Sequence, residues 1–288
     1  MAAMFDVSER TRITLTGRDR AKFLHSFCTN DIVKLQPGQG TEAFITSSQG
    51  KTIGHVLVAC LADRLELNTV AGQGAFLIQH LDRFLITEDV TLRDTTAEFA
   101  QRLIGGEGAA TKLAAALGGE VPAGRLECTA QPCFVQRVEI LGAASFLLAF
   151  PSAAAAEWDA KLSAAGIVPG ADYHAARIAA AWPEFAADFD EDNLPQEIGR
   201  DTQAISFKKG CYLGQETVAR LDALGHVNRK LARLKYAGPA GAELTADGKA
   251  AGQVKSVAGG QAWAIVRVAQ LRPGTILQTE HGPAEVIG

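Results

Sequence analysis

Two textures divide this chain of 288 residues. Up to about residue 227, stretches of period two alternate with stretches whose apolar residues recur every three or four positions, so strands and helices intermingle. From about Asn228 only short strand-like runs remain, at residues 231–236, 250–257, 263–268 and 276–279, separated by glycine or proline turns. The first texture favours an α+β class. The second predicts a small all-β tail, which at about 60 residues is marginal alone and should pack against the rest of the chain.

Individual elements follow from the same periodicity. Residues 12–16 alternate as a strand, and Phe23, Leu24 and Phe27 then share a helical face. Runs at 42–46, 52–61 and 64–70, the first two flanking the turn at 47–51, predict an antiparallel meander. Leu77, Ile78, Leu81, Phe84 and Leu85 form one stripe of a helix over 75–85. Residues 134–140 and 145–150 read as a hairpin, followed by an alanine-rich helix over 152–165 that places Trp158 and Leu162 one turn apart. The glycine-rich stretches 105–108 and 118–124 lack the strand-turn-helix setting of a phosphate cradle and read as surface loops. The expected organisation is a first lobe over 1–95, a second over 96–227 and the β tail over 228–288.

Composition removes several classes of function. A net charge of -4 gives no global basic field for nucleic acid or anionic membrane. Five scattered cysteines without CxxC spacing read as reduced cytosolic thiols, and six dispersed histidines predict no metal centre. There is no GxSxG elbow and no P-loop. No run approaches the roughly 18 apolar residues of a membrane span, so the expectation is a soluble, cytoplasmic protein without membrane contact. The acidic stretch 184–192 reads as a solvated loop, and Trp182 and Trp263 as core.

The most unusual segment runs from Ile205 to Arg220, ISFKKGCYLGQETVAR. A strand-like 205–207 leads into a glycine-flanked turn, and a helix starting near Gly214 would turn Val218 and Leu221 inward and pair Glu216 with Arg220 at i, i+4. Cys211 would lie between a strand end and a helix start. Lys208, Lys209 and the positive helix end would all favour its thiolate. The plainer alternatives are a small buried thiol and two solvated lysines.

Lys209-Gly210-Cys211-Tyr212-Leu213-Gly214-Gln215-Glu216 resembles the K-G-C-Y-x-G-Q-E signature of the YgfZ family of folate-binding proteins, relatives of the glycine-cleavage T-protein. The resemblance extends to Thr29-Asn30-Asp31 after the first helix, to Arg177 at the start of a loop, to Leu194-Pro195-Gln196-Glu197 before the signature and to residues 252–256 in the tail. It implies a three-lobed cloverleaf of two interleaved α+β lobes plus a C-terminal β-barrel, around a central channel for tetrahydrofolate or a one-carbon derivative. It also implies a role in iron-sulfur cluster assembly or repair, with client enzymes such as the one that thiomethylates tRNA, or cluster-assembly proteins, as partners. Cys211 would be the functional thiol, with Arg177, Glu197, Lys209, Gly210, Tyr212, Gly214, Gln215, Glu216 and Arg220 around the folate.

Two departures qualify the resemblance. Where the T-protein carries Asp-Asp-Leu, this chain reads Gly54-His55-Val56, which lacks the carboxylate that acts on the folate-borne group. Where the T-protein carries R-x-E, it reads Arg177-Ile178-Ala179, leaving Glu197 as the substitute acceptor for a pterin and Arg177 for the anionic tail. A folate-dependent aminomethyl- or methyltransferase is therefore the alternative rather than the first reading. A third reading is a weak RNA or protein contact through Arg229, Lys230, Arg233 and Lys235, whose plainer explanation is the wet face of an edge strand.

Overall fold

A computed structural model describes residues 1–288 and divides them into two units. One comprises residues 1–45, 54–171 and 203–212, the other residues 46–53, 172–202 and 213–288.

The first unit is built from β1 (Ala3–Asp6), β2 (Arg10–Thr16), α1 (Arg20–His25), β3 (Gly40–Thr46), β4 (Thr52–Cys60), β5 (Leu65–Ala71), α2 (Gly74–Asp82), β6 (Thr91–Asp94), β7 (Phe99–Gly105), α3 (Ala109–Leu117), β8 (Cys128–Thr129), β9 (Phe134–Val138), β10 (Ser145–Pro151), α4 (Ala155–Ala164) and β11 (Val168–Pro169). The tips of β3 and β4 fall in residues 46–53 of the second unit. The strands form two sheets, β3-β4-β5-β2-β6 and β11-β1-β7-β10-β9-β8. The predicted meander and hairpin are both present, the latter as the antiparallel pair β9–β10 with Leu148 opposite Val135.

Alternation along β10 explains how the larger sheet holds its helices. Phe146, Leu148 and Phe150 point to one face and are buried with Leu113 of α3 and Trp158 and Leu162 of α4. Burial of each such side chain contributes about 1.5–3 kcal/mol. Ala149, on the opposite face, joins Ala59, Leu61, Cys128 and Phe134 in a second cluster. The glycines at 105–108 and 118 turn out to bracket α3, whose alanine-rich sequence hid a helix between two expected loops.

The second unit contains α5 (Tyr173–Ala179), the start of the single turn α6 (Asp201–Ala204), α7 (Gln215–Leu224) and a closed barrel. Its strands are β12 (Arg229–Lys235), β13 (Glu243–Ala246), β14 (Lys249–Ala258), β15 (Gln261–Arg267), β16 (Ile276–Thr279) and β17 (Gly282–Val286), in the order β12-β15-β14-β13-β16-β17. Its interior alternates small and branched residues, among them Ala232, Leu234, Ala251, Val254, Ala264, Val266 and Leu277, as a narrow barrel requires. Closure corrects one expectation: β12 is paired on both sides, by β15 and β17, and is not an edge strand. The molecule is thus a mixed α+β fold ending in a six-stranded β-barrel. No helix is long and apolar enough to cross a membrane.

Candidate functional site

Residues 205–207 form no strand; the chain leaves α6 through a turn, with Ile205 buried and Phe207 exposed. A short apolar run satisfies strand and turn patterns alike, so periodicity alone misassigned it. Within the first unit the signature is then pinned at two points. The Lys209 side chain is buried, and its ammonium donates to the carbonyls of His25, Cys28 and Asn30 at 2.5, 2.6 and 2.9 Å. Tyr212 is buried under the same ammonium, 4.8 Å from ring centroid to Nζ. Between these anchors Gly210 and Cys211 are exposed.

Lys209 therefore serves the loop after α1. Its ammonium caps three carbonyls at and beyond the C-terminal end of that helix, where a cation is favoured. Burial pulls its pKa below the usual lysine range, against the raising influence of Cys28 and Asp31. The expectation that it tunes the Cys211 thiolate gives way to this structural role, because all three ammonium protons have carbonyl partners.

Cys211 is the single exposed cysteine of five, all of them free. Burial pushes the Cys28 and Cys128 thiols up to about 11 and the Cys133 thiol to about 12, and raises Cys60 as well. Nucleophile or soft ligand, a thiol acts as thiolate, so four of the five are held inert.

Beyond Tyr212 the signature enters the second unit. Gly214 caps α7 with φ +80°, and a Cβ there would lie 2.3 Å from the Ser47 carbonyl oxygen. Only glycine permits both that conformation and the close approach of the turn between β3 and β4. Thr46 Oγ1 completes the contact by donating 2.6 Å to the Leu213 carbonyl. Gln215 is half-buried in the first turn of α7, Val218 is fully buried and Leu221 partly so. Glu216 and Arg220 are exposed, and no ion pair joins them.

Arg177 and Glu197 are both buried, with separate sets of partners. Arg177 lies in α5, whose N-cap Asp172 accepts from the Ala175 N–H at 2.9 Å, rather than at the start of a loop. Its guanidinium donates to Asp188 at 2.6 and 3.3 Å and to the Trp182 carbonyl at 3.2 Å, and lies 3.2 Å from Glu184. Asp188 also accepts from Ser256, which a bulge in β14 between Val254 and Ser256 presents. Burial pushes the Asp188 carboxyl up while Arg177 and Ser256 pull it down. The acidic stretch is thus not uniformly solvated: Glu184 and Asp188 are interior groups around one arginine. Glu197 accepts from Asn193 Nδ2 at 2.9 Å, the Leu194 N–H at 3.3 Å and Arg229 Nε at 3.0 Å. Both residues have partners within their own unit that hold the loops carrying them. Trp182 and Trp263 are buried as expected, joined by a 3.3 Å hydrogen bond from the Trp263 indole to the Trp182 carbonyl.

One polar group escaped the sequence reading. In the first unit His55 lies beside a fully buried carboxylate from the preceding strand, with Nε2 2.8 Å from Glu42 Oε1, while Arg125 holds Oε2 at 2.5 Å. The position that lost a carboxylate in the chain thus faces one supplied from β3. Its signal was a carboxylate, Glu42, inside a strand that is buried on both faces from that residue onward. No group of three or more His, Cys, Asp or Glu side chains is arranged to hold a metal ion.

The basic residues of β12 are largely engaged internally. Arg229 binds Glu197 and the Asp192 carbonyl, Lys230 lies 3.8 Å from Asp201, and Arg233 donates to the Ala179 carbonyl at 3.0 Å. Three of the four basic residues thus have partners within the unit, and Lys235 is exposed.

Family models match along almost the whole chain: the GCVT N-terminal domain over residues 1–209 and the CAF17 C-terminal beta-barrel domain over residues 229–286. The chain is 27% identical over 269 residues to a chloroplastic putative transferase of Arabidopsis thaliana, covering 89% of this chain and 62% of that protein's length. It is 26% identical over 277 residues to an aminomethyltransferase of Rippkaea orientalis, covering 88% and 73% of the two chains. To the human mitochondrial iron-sulfur cluster assembly factor IBA57 it is 26% identical over 299 residues, covering 96% and 77%. The crystal structure of the glycine cleavage system aminomethyltransferase T from Bartonella henselae superposes with a TM-score of 0.88 at 21% identity, over 100% of this chain and 85% of that one, which establishes the shared fold. With a GCVT domain, a CAF17-type barrel after it and the KGCYLGQE segment where the first match ends, the chain belongs to the GCVT-domain family, in its YgfZ/CAF17 branch.

Proposed function

We propose that this protein is a tetrahydrofolate-binding accessory factor for iron-sulfur cluster assembly or repair, with Cys211 as its functional thiol. The observation that carries the reading is the treatment of the five cysteines: four are buried with raised pKa values, and one is exposed between two anchored residues of the family signature. The matches to iron-sulfur cluster assembly factors support the process. A lone exposed thiol lends one soft ligand or makes one nucleophilic attack, so any cluster's remaining ligands come from the partner protein. Five unpaired cysteines suit a reducing compartment, which supports a cytoplasmic setting, although the assembly-factor relatives are mitochondrial.

The folate is expected to meet exposed members of the signature in the second unit, Glu216 and Arg220, of which Arg220 offers the cation for an anionic tail. Arg177 and Glu197 support neighbouring loops instead. Calorimetric titration of the anaerobically purified protein with tetrahydrofolate tests this reading: saturable micromolar binding that weakens in Arg220→Ala is the expected result, and absence of heat at saturating ligand contradicts it. Turnover of tetrahydrofolate and a methylated amine to methylene-tetrahydrofolate would instead establish the transferase reading, to which the Glu42–His55 pair gives a buried carboxylate.

A further inference from the structure

Within the second unit a recess of about 310 Å³ lies where the C-terminal end of α7 approaches β12. One wall is apolar, made by Leu221, Val227 and Val268. The other carries two acceptors with nothing to accept from. Gln196 Oε1 and Asp201 Oδ1 are buried and have no hydrogen-bond partner, and the Gln196 residue is only 7% exposed. The orientation of the Gln196 amide is forced, because its Nε2 donates 2.7 Å to the Val218 carbonyl, and a flipped amide would set two oxygens against each other. Buried acceptors left unpaired are costly, so the recess is built for donors. Asp222 adds a second carboxylate on the same rim, against the single ammonium of Lys230, which stands 3.8 Å from Asp201 Oδ2.

We propose that this recess is a binding site for a planar amidinium or guanidinium group, whose N–H edge satisfies Gln196 Oε1 and Asp201 Oδ1 while its weakly hydrated face rests on the apolar wall. The chemistry selects this class because such a cation combines several in-plane donors with flat, poorly solvated faces, whereas a compact ammonium keeps a strong hydration shell. The group could arrive on a free small base or on an arginine side chain of another protein, and two probes separate these sources. Benzamidine and N-acetyl-arginine amide would each be titrated into the full-length protein at neutral pH, following the Gln196 side-chain amide by NMR.

Saturable shifts with benzamidine alone assign the site to a small base, and saturable shifts with both extend it to arginine side chains. In either case Asp201→Asn, which keeps the shape of the side chain, is expected to weaken binding at least tenfold, and Lys230→Met to tighten it by removing the competing ammonium. Asp247→Asn, in an exposed turn of the barrel, is expected to leave affinity unchanged. The proposal is overturned if neither probe saturates, which would leave water as the occupant, or if Asp247→Asn weakens binding as much as Asp201→Asn does.

Discussion

Lys209 and Cys211 stand two positions apart in opposite surroundings. One is buried with its ammonium enclosed by three carbonyls; the other is exposed. Adjacency in sequence had suggested that the lysine acts on the thiol. A four-carbon stem instead carries the charge to the loop after α1, a choice no sequence pattern encodes. Replacing Lys209 by Met leaves three carbonyls without their donor, two of them at 2.5 and 2.6 Å, and should cost about 2–3 kcal/mol in urea unfolding. An unchanged midpoint would contradict the anchoring role. The thiols make a second prediction. With Cys28 and Cys128 near 11 and Cys133 near 12, at most about one in a thousand of these is thiolate at pH 8. Iodoacetamide on the native protein should label Cys211 alone, as read by peptide mass spectrometry; labelling of a buried cysteine at a comparable rate would contradict the assignment.

Among the elements, α7 shows how much of the signature is structural. Its start at Gly214 and its buried Val218 were legible from spacing and capping preference. The reason for the glycine was not, because the Ser47 carbonyl comes from a turn more than 160 residues earlier. Gly225 closes the same helix with φ +73° and open space beside it, which makes it the natural control. Gly225→Ala should cost about 1 kcal/mol of left-handed strain, and Gly214→Ala clearly more, since the turn must also move. Equal losses in urea unfolding would remove the packing argument. The Arg177 loop teaches the complementary lesson. Composition marks residues 184–192 as acidic and hence wet. What it cannot display is a fully buried arginine, contributed by α5, that draws Glu184 and Asp188 inward. The strands of the meander, the β9–β10 hairpin and most of the barrel were readable because a period of two survives burial on one face; β13 and β17 did not register, the latter because its opening Gly282-Pro283 reads as a turn.

For the whole molecule, the family places a GCVT domain before a CAF17-type barrel, and the residues say which of its features are chemical and which are scaffold. Arg177, Glu197, Lys209, Tyr212 and Gly214 hold backbone segments in place, so their loss would act through stability. Cys211 has no such duty. The central claim is that its thiol, rather than its packing, is what the scaffold exists to present. The most direct measurement is the activity of iron-sulfur enzymes in cells lacking this protein and supplied with either the native chain or Cys211→Ala, alongside the thermal midpoint and tetrahydrofolate affinity of each purified form. The account predicts that Cys211→Ala keeps the native midpoint and affinity and fails to restore cluster-dependent activity; full restoration by Cys211→Ala would contradict it.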